Sequence, residues 1–442
     1  MAIVNLPQAY INNMKEILKE EYDLFYKSYS SLPVRGLRIN TLKISVEDFL
    51  KITPCKLTPT GISKEGFIIE GEAEKIGLHP YHIGGAFYIQ EPSAMSVVSE
   101  IERLGIFDKP IKALDLCAAP GGKSTAIGEM LKENSVLVAN EIISKRAIEL
   151  SRNIERIGIT NSVVTNLKPQ ALAELLPNYF DLVLVDAPCS GEGMFRKNPE
   201  AINEWSIEHT KTCMVRQREI LNSAKNCVVK NGYLVYSTCT FNKFENEGVV
   251  EEFVKSNKEF EVVSQKRLFP HTHRGEGHFV CVMRKGESET HKLKSINYYK
   301  PCKDNNFYAL MHEIFDDFNA NAYVSGTNYI LASDEVIEVA NIVPSIYAGV
   351  LAGIQKQNRA EPYHSLFMAA HGFKFKNCLD FSADSKEIKS YLAGNTLETT
   401  AKGKYYLISC DSFPLGYAKQ SDGILKNKLP KGLRVHLTEV RV

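Results

Sequence analysis

The chain has 442 residues, 44% of them hydrophobic, and 53 basic against 52 acidic residues give a formal net charge of +1. That length allows two or three domains, each with its own core. The charge balance excludes attraction to a polyanion through bulk charge, so only local clusters of Lys and Arg bear on that question. The amino terminus, MAIVNLPQAY, has no charged segment followed by an apolar run, and no stretch of about 18 apolar residues occurs, so neither a signal peptide nor a membrane span is expected. Ten cysteines without regular spacing point to reduced thiols and a cytoplasmic location.

Leu6 to Tyr26 has helical apolar spacing through Ile11, Met14, Ile17, Leu18 and Tyr22. It opens a small α/β domain predicted over residues 1–75. Within it, RGLRINTLK (Arg35–Lys43) carries Arg38 and Asn40 on a short alternating strand. Two readings stand for this strand: an edge with solvated basic ends, or a phosphate-contacting surface. Residues 76–100 read as a connector with a turn at Gly84-Gly85, a strand over Ala86–Gln90 and a helix started by Pro92-Ser93. His79 and His82 have no nearby partner set, so no metal is expected there.

From 111 to about 285, strand and helix signals alternate. Strands are predicted at Lys112–Leu116, Ser135–Ala139, Ser162–Thr165, Phe180–Asp186, Gly232–Ser237 and His278–Met283, with helices between them, notably Ser144–Ile157 and Thr210–Val229. This alternation argues an α/β fold with a doubly wound, mostly parallel sheet, whose ligands bind outside the carboxyl ends of the strands. Cys117, Glu141, Asp186 with Cys189, and Cys239 fall at such ends.

The first of these strands enters ALDLCAAPGGK, Ala113 to Lys123. Cys117, Ala118, Ala119, Pro120, Gly121 and Gly122 make a tight turn, and Lys123-Ser124-Thr125 open a helix to Leu131. Strand, glycine turn and helix N-terminus are one way to hold a nucleotide-like ligand, with glycine letting backbone approach it. The turn does not match a phosphate loop, because position 117 is cysteine where that motif needs glycine. Glu141, roughly 20 residues further on, suits the ribose hydroxyls of an adenosine.

Two more centres follow. In FDLVLVDAPCSGEGMFRKNP, Asp186 ends a strand, Pro188 stops it and Cys189-Ser190-Gly191 makes a tight loop. In YSTCTFNKFENE, Cys239 follows a strand, and Asn242 with Glu245 reads as a capped helix start. Cys239 would then sit near a helix N-terminus, where thiolate is favoured. Either cysteine alone would read as a small buried hydrophobe, but two on adjacent strand ends face one pocket. No C-x-x-C spacing supplies a zinc site.

CAAPGGK, DAPCSGEG and STCT in this order, with RINTLK and YIQEPSAM before them, resemble the RNA 5-methylcytosine methyltransferases of the Nop2/Sun family, over residues from about 35 to 285. The resemblance implies S-adenosylmethionine as methyl donor, in a pocket built by Cys117 to Lys123, Glu141 and Asp186. It also implies Cys239 as nucleophile and Cys189 as the cysteine assisting product release. Asp186 is then placed to hydrogen-bond the base edge, and Lys123 to hold the loop acids or lower a thiol's pKa. Which cysteine attacks first comes from the family and not from the residues themselves. Relatives often carry an acidic residue after the third strand; here Asn166-Leu167-Lys168-Pro169 has none, and Asn166 is the replacement by its amide.

Residues 287–300 read as a polar linker between a methyltransferase domain over 76–286 and a carboxy-terminal region over 301–442. In that region helices are predicted at Phe307–Phe318 and Pro362–Ala370, with strands at Tyr329–Ala332 and within Tyr347–Gln357. Gly416 to Arg441 holds six basic residues (Lys419, Lys426, Lys428, Lys431, Arg434, Arg441) against two acidic ones (Asp422, Glu439), in a hairpin-like setting. This is either a solvated basic face or an RNA-backbone contact surface. The region resembles the PUA-like extension of the bacterial branch that modifies 16S rRNA. The expectation is therefore a monomeric 16S rRNA 5-methylcytosine methyltransferase, with Arg38, Asn40, Lys419, Lys426, Lys428 and Arg434 on RNA and no metal. The alternatives are a tRNA cytosine methyltransferase, a small-molecule methyltransferase, and a non-catalytic ribosome-assembly RNA-binding protein. The presence of both cysteines and Asp186 speaks against the last.

Overall fold

Alternate residues of the central strands enter two different cores. Leu114, Val136, Val138, Val183 and Val185 join one apolar cluster, while Ala113, Leu137, Leu182 and Leu184 join another. A period of two with both sets apolar requires cover on both faces of a buried sheet. The computed structural model describes residues 6–71, 75–286, 293–369 and 372–435, and in it that sheet has eight strands.

An antiparallel sheet comes first in the chain, from β1 (Gly36–Ile39), β2 (Leu57–Pro59), β3 (Gly66–Ile69) and β4 (Phe87–Ile89), in the order β2-β3-β1-β4. The predicted connector strand is thus its edge strand β4, so the amino-terminal unit runs past residue 75. The predicted helix over Leu6–Tyr26 is two helices, Gln8–Leu18 and Tyr22–Ser28, broken by a tight turn at Lys19–Glu21.

The central sheet is β5 (Lys112–Asp115), β6 (Val136–Asn140), β7 (Ser162–Thr165), β8 (Phe180–Asp186), β9 (Val228–Thr238), β10 (Phe260–Leu268) and β11 (His278–Lys285), plus Tyr347–Ala348. Its order is β10-β11-β9-β8-β5-β6-β7, followed by Tyr347–Ala348. Strands β5 to β9 pair parallel and β11 antiparallel. The chain winds one way from β5 to β6 and the other way to β8. In doubly wound sheets the ligand crevice lies at such a reversal, outside the strand ends. The sequence reading missed β10, an edge strand whose outward residues are polar or exposed, so neither apolar alternation nor a buried run marks it. The helix predicted over Thr210–Val229 spans Ile207–Ala224, with Ser206 as its N-cap; Val228 already belongs to β9.

The carboxy-terminal region is not one appended domain. It holds a five-stranded sheet from Lys300–Pro301 to Arg359–Pro362 and another from Cys378–Phe381 to Ile424–Asn427. Between the strands of the first sheet, Tyr347–Ala348 pairs with β7, and Val336, Val339, Ile342 and Val343 enter the central core. The second sheet shares a core with the amino-terminal one: Leu37, Phe49 and Phe87 pack with Tyr391, Ile408 and Leu415. The predicted basic hairpin is present as Phe413–Ser421 and Ile424–Asn427 around Asp422-Gly423. Arg441 and Glu439, like linker residues 287–292, lie outside the described residues.

Arg38 and Asn40, expected on RNA, are buried instead. Arg38 is 3% exposed and reaches Glu129 at 2.8 Å, Thr125 Oγ1 at 2.8 Å and the Gly122 carbonyl at 2.7 Å. Asn40 donates to the carbonyls of Gly85 and Ile157, both at 2.8 Å. These residues fasten the amino-terminal sheet to the central one; a basic residue on a short strand has the same sequence signature whether its partner is a buried carboxylate or a phosphate. Arg38→Met strands the Glu129 carboxylate without its cation and is expected to destabilise the protein by roughly 3–5 kcal/mol, read from the urea midpoint. A loss below about 1 kcal/mol, the scale of an exposed pair, would contradict this role.

Candidate active site

The turn after β5 is shaped by backbone. Gly121 has φ of +114°, which a side chain adopts only with strain, and the helix Gly122–Met130 begins immediately after it. Arg146 and Asn153, on the helix Ser144–Ile157, donate to the Ala119 and Pro120 carbonyls at 2.8 and 2.9 Å. The turn from Cys117 to Gly122 is therefore held from the next helix. Burial pushes the Cys117 thiol well above its usual range.

Glu141 lies just past β6, with its side chain buried. One oxygen accepts from the Ile143 N–H at 2.9 Å and the other lies 3.3 Å from Arg146. Asn166 follows β7, and its Nδ2 donates to the Glu141 carbonyl at 2.6 Å. The amide oxygen of Asn166 and the carboxylate of Glu141 thus belong to neighbouring strand ends.

Lys123 and Asp186 meet at the crevice, with Nζ 2.8 Å from Oδ2. The other Asp186 oxygen accepts from Ser237 Oγ at 2.7 Å and faces His278 Nε2 at 3.7 Å. Burial alone would raise the Asp186 carboxyl, but Lys123 and His278 outweigh it and hold it well below the usual carboxylate range. Burial and Lys123 lower the His278 pKa, which favours a neutral imidazole. Asp186 is thus an ionised group held by Lys123 and Ser237, with His278 Nε2 facing it without a hydrogen bond. Neither Ser237 nor His278 was evident in the sequence as a neighbour of Asp186, because both stand on other strands (β9 and β11).

Cys189 and Cys239, fifty positions apart in the chain, follow the neighbouring strands β8 and β9. Their sulfurs are 3.3 Å apart. The register Asp186↔Ser237 places the two strand ends level. Cys239 is not at a helix N-terminus as expected. The next helix starts at Glu247, and Asn242 and Glu245 close a turn instead, with the Glu245 N–H donating to Asn242 Oδ1 at 2.9 Å.

Two buried carboxylates tie the two cysteine loops together. Glu192 accepts from the Phe241 and Asn242 N–H groups at 2.7 and 2.9 Å, and from the Trp205 indole at 3.0 Å. Glu245 accepts from the Ser190 N–H at 2.9 Å, from Ser190 Oγ, from Asn242 Nδ2 at 2.7 Å and from Gln217 Nε2 at 2.8 Å. Gly193 lets these loops touch: its N–H donates to the Cys239 carbonyl at 2.8 Å, and a Cβ there would lie 2.7 Å from that oxygen. The sequence reading assigned Glu245 only to a helix cap and missed Glu192; the spacing of Glu245 from Asn242 signals a local turn but not its reach across to Ser190.

The basic hairpin lies apart from the crevice, on the second carboxy-terminal sheet. Lys426, Lys428, Lys431 and Arg434 are exposed. Lys419 is half-buried, with its ammonium 5.8 Å from the centre of the Tyr405 ring.

A family model described as 16S rRNA methyltransferase RsmB/F matches residues 108–284. Models for the N-terminal domain of 16S rRNA methyltransferase RsmF and for the methyltransferase RsmF PUA domain match residues 6–92 and 378–435. The ribosomal RNA small subunit methyltransferase F of Shigella dysenteriae is 35% identical over 331 residues, covering 68% of this chain and 69% of that protein. The chain belongs to the ribosomal RNA small subunit methyltransferase F family. Among solved structures, a methyltransferase homolog protein from Pyrococcus horikoshii is 26% identical, with a TM-score of 0.56 over 64% of this chain and 96% of its own. NSun6 from the same organism, solved with SFG, shares the fold at 20% identity, with a TM-score of 0.55 over 65% of this chain and 100% of its own. This member of the methyltransferase F family thus carries the methyltransferase fold, with a PUA domain in the second carboxy-terminal sheet. Among its described residues no helix is long and apolar enough to cross a membrane.

Proposed function

We propose that the protein forms 5-methylcytosine in small-subunit (16S) rRNA, taking the methyl group from S-adenosylmethionine through a covalent adduct between Cys239 and carbon 6 of the base. The observation that carries this reading is the pair of sulfurs 3.3 Å apart beside an ion-paired Asp186, at the crevice where the sheet reverses direction. The residues present fit the cofactor. The buried Glu141 carboxylate suits the ribose hydroxyls, the Asn166 amide oxygen suits an exocyclic amine, and the turn from Cys117 to Gly122 offers backbone to the rest. When bound there, S-adenosylmethionine supplies an electrophilic methyl group.

Carbon 5 of cytosine is a poor nucleophile. Addition of the Cys239 thiolate to carbon 6 makes carbon 5 enamine-like, which splits one hard step into two easier ones. Asp186, fixed by Lys123 and Ser237, accepts a hydrogen bond from the base edge and orients the ring, and the Lys123 ammonium offsets the negative charge that thiolate addition puts on it. After carbon 5 has been alkylated, water takes its proton, the carbon 5–carbon 6 double bond reforms, and the carbon–sulfur bond breaks with its electron pair returning to Cys239. Cys189, in contact with that sulfur, assists the departure.

The exposed Lys426, Lys428, Lys431 and Arg434 contact the RNA backbone in this reading. Replacing all four with Glu is expected to weaken binding to a 16S rRNA fragment and to make log K against log salt shallower by up to about 3. An unchanged slope in fluorescence-anisotropy titrations would remove this face from the RNA interface. The reaction itself is tested by bisulfite sequencing of RNA from cells with and without the protein. Loss of protected cytosines in 16S rRNA is the expected result. Loss confined to tRNA keeps the chemistry and overturns the substrate; no change at any cytosine overturns the reaction.

A further inference from the structure

We propose that Glu245 is a positioning residue that selects which of the two adjacent thiols becomes the nucleophile: with Lys123 on the opposite side, it directs the negative charge to Cys239 and leaves Cys189 as the S–H that donates to it. This rests on the reading of Cys239 as nucleophile, and supplies the physical reason for an assignment that the residues alone leave open.

The asymmetry is built into the fold. Glu245 is 0% exposed and holds Ser190, the residue next to Cys189, by both its N–H and its hydroxyl. Among the described residues, its side-chain hydrogen-bond partners are neutral donors: Ser190, Asn242 and Gln217. None of them is a cation, so the carboxylate's field reaches Cys189 uncancelled by an ion pair. On the other side, Lys123 interacts electrostatically with Cys239 while bound to Asp186. The sulfur pair therefore has the Glu245 carboxylate on the Cys189 side and the Lys123–Asp186 ion pair on the Cys239 side. Hydrogen bonding to Cys239 and burial, with a contribution from the charge of Glu245, push the Cys189 thiol well above its usual pKa. Among the other titratable groups, Tyr236 on β9 faces Cys189; Glu192 and Cys213 face Glu245, with Arg216 and His209 beside Cys213 on the helix Ile207–Ala224; Asp186, Asp115 and His278 face Lys123. The Gly191 N–H favours thiolate on Cys189, but hydrogen bonding to Cys239, burial and the charge of Glu245 outweigh it.

The arrangement accounts for both cysteine roles with one proton. The proton of Cys239 leaves to solvent, and the Cys189 S–H donates a charge-assisted hydrogen bond to the sulfur that remains. When the adduct breaks, the same S–H receives the departing thiolate. A Cys189 that ionised as readily as Cys239 would lose this donor and compete for the base.

Site-resolved alkylation with iodoacetamide tests this on the full chain without RNA or methyl donor, so its outcome is independent of the bisulfite result. Only the thiolate reacts: its sulfur bonds to the acetamide carbon and iodide leaves. Cys239 is expected to label first, and Glu245→Gln is expected to lower the Cys239-to-Cys189 rate ratio at pH 8 by about tenfold, the effect of one pKa unit. Cys281, fully buried on β11, reports unfolding by its own labelling. An unchanged ratio in a Glu245→Gln protein with Cys281 protected overturns the proposal, as does a wild-type chain in which Cys189 labels first. If Glu245→Gln exposes Cys281, Lys123→Met decides from the other side: the ratio falls if the charge gradient sets it and stays constant if it does not.

Discussion

Cys239→Ala is expected to lower methylation by roughly 10⁴-fold or more, the scale on which deleting a covalent nucleophile acts in other enzymes. Removing the sulfur leaves carbon 6 without an attacking group, so carbon 5 is never activated. The cofactor contacts proposed here, from Glu141, Asn166 and the turn after β5, do not include Cys239. Affinity for S-adenosylmethionine should therefore change by less than about twofold, a few tenths of a kcal/mol. Single-turnover methylation of a 16S rRNA fragment, beside calorimetric titration of the methyl donor, separates the two quantities. Retained turnover would overturn the nucleophile assignment.

Cys189→Ala should have the opposite signature. The adduct still forms, because Cys239 is present, but its collapse loses the S–H that stands 3.3 Å from the leaving sulfur. A covalent protein–RNA species should then accumulate and survive denaturing electrophoresis, while multiple turnover falls. If Cys239→Ala gives that band and Cys189→Ala does not, the roles are exchanged. If neither gives it, release does not depend on the thiol pair.

Much of the catalytic half was legible because its signals are local. Strands β5, β7 and β8 and the helix Ser144–Ile157 start within a residue or so of their predicted places, since buried parallel strands are continuous apolar runs and amphipathic helices repeat their apolar face. The glycine turn and the loops after Asp186 and Ser237 announce themselves by Pro, Gly and Ser between such runs. What failed was of another kind. The edge strand β10 has no buried alternation to detect. Tyr347–Ala348 extends the central sheet from a segment some 180 positions beyond β7, and no local pattern encodes that pairing. Arg38 and Asn40 read as outward because polar residues on a short strand usually are; here Arg38 crosses to the buried Glu129 carboxylate and Asn40 to the Ile157 carbonyl.

The sequence by itself determined the order of the elements, the chemistry available at each strand end and the family to which those motifs point, because each depends on residues close together in the chain. The tertiary structure alone decided how those chemistries combine. Folding sets β8 beside β9, so that two thiols fifty positions apart touch. It sets Lys123 and Ser237 on one carboxylate of Asp186, and brings Glu245 across to the loop of Cys189. It also joins the amino-terminal sheet to the second carboxy-terminal sheet in one core. The physical reason is that periodicity reports whether a side chain is buried, whereas its partner, and hence its charge state and its task, is set by contacts between segments that the chain brings together only when it folds.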